Sequence, residues 1–176
     1  MTIALLILSL AAVVVPGSVA AQQGHDHAGH AAHHAHPAEA TRDSAFAALQ
    51  ARGHQAMGVD QYTSTHRFDA LPDGGRIELQ RDSDDPGGIA TIRAHLRTIA
   101  DAFSRGDFAT PGFVHAEQVP GTDVMAARRA HIRYLYRDLP RGGEVRIVTE
   151  DAEALRAIHA FMAYQRGDHR AGGVHP

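Results

Sequence analysis

The sequence predicts an α+β fold: a two-layer sandwich in which a four-stranded antiparallel sheet carries two helices on one face, with a short N-terminal helix at its edge. Three observations predict it. Polar and apolar residues alternate over 62–68 and again over 76–80, and Leu71-Pro72-Asp73-Gly74-Gly75 between them is a hairpin turn. Ile89, Ile92, Leu96, Ile99 and Phe103 then recur at three- and four-residue steps, the spacing of a helix with one buried stripe. Finally, the unit repeats. Leu71-Pro72-Asp73-Gly74-Gly75-Arg76-Ile77 returns as Leu139-Pro140-Arg141-Gly142-Gly143-Glu144-Val145, and Ile92-Arg93-Ala94-His95 is echoed by Leu155-Arg156-Ala157-Ile158. One copy cannot cover its own sheet, whereas two copies complete a covered one.

The chain has 176 residues, enough for one ordinary domain. Residues 3–15 form an apolar run broken only by Ser9, followed by Pro16-Gly17 and small residues that suit cleavage, so residues 1–21 read as an export signal and the protein as periplasmic. The run is too short to span a bilayer, which predicts no stable membrane insertion after cleavage. Residues 22–43 lack large apolar side chains in series and are expected to be disordered. A short helix should open near Asp43-Ser44, with Phe46, Leu49 and Gln50 on one side, and close near Gly53 and Gly58. The single domain is expected over 44–170, its repeat halves at 61–107 and 131–168. In each half a helix follows the hairpin, after Asp84-Asp85-Pro86 and after Glu150-Asp151. The passage 106–122 is rich in Gly and Pro but contains Phe108, Phe113 and His115, and so reads as an ordered excursion; 171–176 is a tail.

Composition narrows the chemistry. No Cys is present, which removes thiolate metal sites, iron-sulfur clusters and cysteine nucleophiles. All 17 basic residues are Arg and face 20 acids, a balance that predicts no nucleic-acid partner. The 14 His are the outstanding feature. His25, His27, His30, His33, His34 and His36 crowd into the low-complexity segment, where flexible neutral imidazoles can capture Zn, Cu or Ni with modest selectivity.

The repeat sorts the remaining histidines. His66 shares a strand face with Tyr62, Ser64 and Phe68, and its counterpart in the second copy is Tyr134; His95 lies on the buried helix stripe, where the second copy has Ile158. A buried imidazole without partners costs free energy, so each needs a hydrogen bond, water or a metal. His66 and His95, completed by His115 from the excursion, form the expected structured site for Cu or Zn. Met57 and His54 precede the first strand, and a thioether there would favour Cu(I). His159 is a further inward candidate, His131 should face solvent, and His169 and His175 should lie in a frayed end.

Gln55-Ala56-Met57-Gly58-Val59-Asp60-Gln61, Thr65-His66-x-Phe68, Ile92-Arg93-x-His95-Leu96, Gly106-Asp107-Phe108 and His115 together resemble a group of uncharacterised small exported bacterial proteins, over residues 47–169. Some of that group carry the name aspartate carbamoyltransferase. Such an enzyme has Ser-Thr-Arg-Thr at a helix N-terminus and a His-Pro-Thr-Gln signature. Here Ser64-Thr65-His66-Arg67 falls on an expected strand and the second signature is missing, so the motifs do not carry the name. Thr65 and Arg67 would be the residues to test under it. The expectation is an exported Cu- or Zn-binding protein with a weak His-rich capture segment and a structured His site. The alternatives are a small periplasmic hydrolase or transferase using the same histidines as acid and base, and a structural or interaction module.

Overall fold

The computed structural model describes residues 37–171. The signal segment, the six clustered histidines 25–36, His175 and the tail 172–176 lie outside the described residues. In chain order the elements are α1 (Pro37–Met57), β1 (Ser64–Leu71), β2 (Gly74–Arg81), α2 (Pro86–Ser104), α3 (Ala109–His115), α4 (Thr122–Ala127), β3 (Ile132–Leu139), β4 (Gly142–Thr149) and α5 (Ala152–Asp168). Single 3-10 turns precede β1 and β3.

The expected four-stranded antiparallel sheet is present, with strand order β1-β2-β4-β3. One expectation is corrected. The first helix is not short: it starts at Pro37 rather than near Asp43 and runs for 21 residues, so 37–43 belong to the fold. Proline suits a first helical position, and Ala38-Glu39-Ala40 are strong helix formers whose lack of bulk disguised them as linker. The excursion 106–122 is ordered as expected, containing α3 and leading into α4.

The duplication is built into the register. Ile77 and Val145 are repeat counterparts and also pair directly across β2 and β4; likewise Leu79↔Gly143 is the counterpart of Gly75↔Ile147. A pseudo-twofold axis therefore passes through the Ile77–Val145 pair. Glycine closes the same gap on each side. A Cβ on Gly74 would lie 2.0 Å from the Ile147 carbonyl oxygen, and one on Gly142 would lie 2.0 Å from that of Leu79.

The helices are exchanged between halves. Helix α5 packs on β1 and β2, whereas α2 packs on β3 and β4 and touches β2. Both start from an aspartate cap, Asp85 accepting from the Gly88 N–H and Asp151 from those of Glu153 and Ala154. Ile77, Leu79, Val145 and Ile147 from the sheet meet Ile92, Leu96, Phe103, Ile158, Phe161 and Met162 from the helices to form the core. Each large side chain so enclosed contributes about 1.5–3 kcal/mol of burial free energy. The uncovered face carries charged side chains, with Arg76 bonded to Asp69 and Arg137 to Glu144.

Candidate functional site

Exchange of the helices decides what faces His66. The ring points under the sheet, where α5 covers β1, and its neighbour is His169, the residue that caps α5. The two imidazoles stack with centroids 5.8 Å apart and planes within 5°. Phe68 lies against His169 at 5.4 Å, and His115 meets His169 edge-on at 5.1 Å. His169 is 6% exposed, which corrects its expected place in a frayed end. The Gln61 side chain clamps it: the amide donates to the His169 carbonyl, and its oxygen lies 2.9 Å from Nδ1. That contact makes Nδ1 the protonated nitrogen and leaves Nε2 a lone pair.

The expected trio of His66, His95 and His115 is only partly brought together. All three line one cavity of about 80 Å³, together with Met57, Gln165 and His169. His115 is already committed, however. Its Nδ1 donates to Asp168 at 2.5 Å, and Nε2 sits 3.0 Å from Gln165 Oε1, both partners coming from the last turn of α5. Among the described residues no three His, Asp or Glu side chains form a metal-holding group. An imidazole whose two nitrogens are both hydrogen-bonded has no lone pair to spare, so the three-histidine centre is not formed.

His66 is the opposite case. It is 9% exposed, and neither ring nitrogen has a hydrogen-bond partner of ordinary geometry. Burial pushes its pKa down to about 4, the nearby Ser64 backbone offsetting this only in part, with His95 lowering it further. Burial, with smaller contributions from His66 and His115, takes His169 down to about 3. His95 is lowered by burial too, against a backbone hydrogen bond to Ala56. That bond ties the ring to the last turn of α1, and Met57 from the same turn lines the cavity with it. The cavity thus gathers three imidazoles that burial keeps neutral, His66, His95 and His169, and one thioether, and no carboxylate lines it among the described residues.

The other candidates fall away from the cavity. His54 is exposed, His131 is exposed as expected, and His159 Nε2 donates to the Leu71 carbonyl at the end of β1, a structural tie. Thr65 is exposed and donates to Asp82, and Arg67 is exposed. His169, Gln165 and Asp168 were missed by sequence reasoning. A signal existed for the first: Arg166-Gly167-Asp168-His169 aligns with Arg105-Gly106-Asp107-Phe108, and Phe108 packs on the core.

Comparison with protein-family models, with curated proteins and with solved structures yields no match to this chain. Among the described residues no helix is long and apolar enough to cross a membrane.

Proposed function

We propose that the chain is an exported copper-binding protein whose folded domain holds Cu(I) in the cavity under β1, with His66, His95 and the Met57 thioether as donors. The carrying observation is His66: a buried imidazole with no hydrogen-bond partner of ordinary geometry among the described residues, on the wall of a cavity it shares with a second neutral imidazole and a sulfur. Leaving such a group unpaired costs about 1–3 kcal/mol, which a metal bond would offset. The depressed pKa values support this reading, because a ligand nitrogen that stays unprotonated at neutral pH does not release a proton on metal binding. Two imidazoles and a thioether make a soft set, which favours Cu(I) over Zn. The apolar run at 3–15 supports export, and the six histidines at 25–36 support a weak capture segment ahead of the domain.

Anaerobic Cu(I) titration of the full chain against a chromophoric competitor tests this. The clustered histidines are common to wild type and variants, so a difference between them reports the cavity. Wild type is expected to hold one equivalent that the competitor removes last, and His66→Phe and Met57→Leu, both folded by circular dichroism, are expected to lose it. Equal retention by wild type and His66→Phe would overturn the proposal. So would Zn holding the cavity more tightly than Cu(I) does.

A further inference from the structure

His66 has a lone pair to give but no opening of its own. Both of its ring nitrogens are sealed from solvent, so an ion destined for them has to be handed through the wall of the cavity. Two larger concavities adjoin that wall. One, of about 320 Å³, shares only His115 with the cavity. The other, of about 540 Å³ along the free edge of β1, shares His66, Phe68 and His169 with it.

The residues common to both sides differ in what they can offer a metal. His115 is spent on Asp168 and Gln165, and Phe68 has no donor atom. His169 is half committed. Gln61 accepts from its Nδ1 at 2.9 Å and donates to its backbone carbonyl at 3.1 Å, which fixes the tautomer and leaves the Nε2 lone pair. No hydrogen-bond partner of that nitrogen is found among the described residues. Burial lowers the pKa of the ring to about 3, so the lone pair is present throughout the neutral range. The ring lies parallel to His66, with centroids 5.8 Å apart. Packing alone does not require an imidazole here, because the repeat counterpart is Phe108, which stacks on Phe103 at 4.4 Å.

We infer that His169 is the relay ligand of the cavity: Cu(I) arriving in the outer cleft binds His169 Nε2 and passes to a ring nitrogen of His66. The inference rests on the copper reading and adds the route by which the site is filled. In the step, the bond from copper to His169 breaks as the bond from copper to His66 forms. The metal stays Cu(I), no electron is exchanged, and each nitrogen binds through a lone pair. Metal–imidazole bonds are about 2.0–2.1 Å long, so two rings at this separation place their binding positions next to each other. Gln61 is a positioning residue, since it holds the ring in the tautomer that the relay needs. A relay lowers the barrier in both directions, and so changes rates without changing retention.

Anaerobic stopped-flow transfer tests this on the full chain. Uptake is read from the loss of Cu(I)–bicinchoninate absorbance, and release by mixing loaded protein with excess bicinchoninate. His169→Phe, folded by circular dichroism, is expected to keep the retained equivalent while uptake and release both slow about tenfold or more. His169→Leu repeats the measurement should the phenylalanine variant not fold. Gln61→Leu should slow both steps by about threefold, and the imidazole ¹⁵N shifts of metal-free His169 should lose the single Nδ1–H tautomer of wild type. Unchanged rates in the His169 variant would overturn the inference. So would loss of the retained equivalent there, which would make His169 a retaining donor instead of a relay. Wild type without a retained equivalent would overturn the copper reading and this inference with it, a result seen before any variant is mixed.

Discussion

The two ends of the sheet are built on one plan and filled with different chemistry. At the β3 end Tyr134 meets Phe103 edge-on at 5.8 Å, and Phe103 stacks on Phe108 at 4.4 Å. At the β1 end the counterpart of Tyr134 is His66, and the counterpart of Phe108 is His169, stacked on it at 5.8 Å. In each case the partner arrives from the other half's helix, because the helices are exchanged. The aromatic end closes with dispersion and area burial, its one polar fault being the Tyr134 hydroxyl, which has no partner. The imidazole end accepts the desolvation of two rings that titrate far below their ordinary range. A scaffold that can be closed with Phe and Tyr at one end does not need histidines at the other for packing alone.

The largest expected effect tests what the ends share. Gly74→Ala and Gly142→Ala should both be severely destabilising, by about 4 kcal/mol or more in chemical denaturation, because each Cβ would meet a backbone carbonyl that cannot step aside. Gly74 should be the worse, since its φ of +147 adds strain. A mild effect at either position would break the pseudo-twofold description.

Acid should separate the ends. His66 and His169 have folded pKa values of about 4 and about 3, below the 6.5 of an ordinary histidine. Below pH 6.5 the unfolded chain takes up protons that the folded chain refuses. Each histidine therefore removes about 1.4 kcal/mol of stability per pH unit as pH falls towards its folded pKa. Over that window His66 alone accounts for on the order of 3 kcal/mol in the metal-free protein. Urea midpoints measured between pH 7 and 4 check this, and His66→Phe should flatten the slope by one histidine. A slope identical in that variant would remove His66 as its source.

Above pH 7 the same substitution keeps its sign. Replacing an unpartnered buried imidazole with an apolar ring should raise stability by about 1–3 kcal/mol while abolishing copper retention, so function and stability part at this position. Tyr134→Phe removes a comparable fault at the other end and should gain about 1 kcal/mol with no change in copper. The smallest effect belongs to the scaffold surface: Asp73→Ala, which breaks an exposed pair with Arg146, should cost less than about 1 kcal/mol and lose even that at high salt.

Much of the architecture was legible in residues. The alternation at 62–68, the Asp85-Pro86 cap and the Leu-Pro-x-Gly-Gly duplication led to the observed strands, helices and sheet, because local periodicity and turn chemistry act over a few residues. The inward faces of His66 and His95 followed from the same patterns. The start of α1 was not legible, since Ala38-Glu39-Ala40 satisfies a linker composition as well as a helix propensity. His115 lines the same cavity as His66 and His95, but the partners of its ring nitrogens were not legible, because Asp168 and Gln165 lie fifty and more positions away.

Sequence alone determined the four strands, the two covering helices, their duplication and the inward faces of His66 and His95. Only the tertiary structure decided which helix covers which hairpin, and that choice brought His169 to His66, turned Asp168 and Gln165 onto His115, and set Arg166 against the Phe68 carbonyl at the edge of β1. The reason is physical. Repeats with equivalent apolar stripes can pack with their own helix or with each other's, and neither periodicity nor composition distinguishes the two.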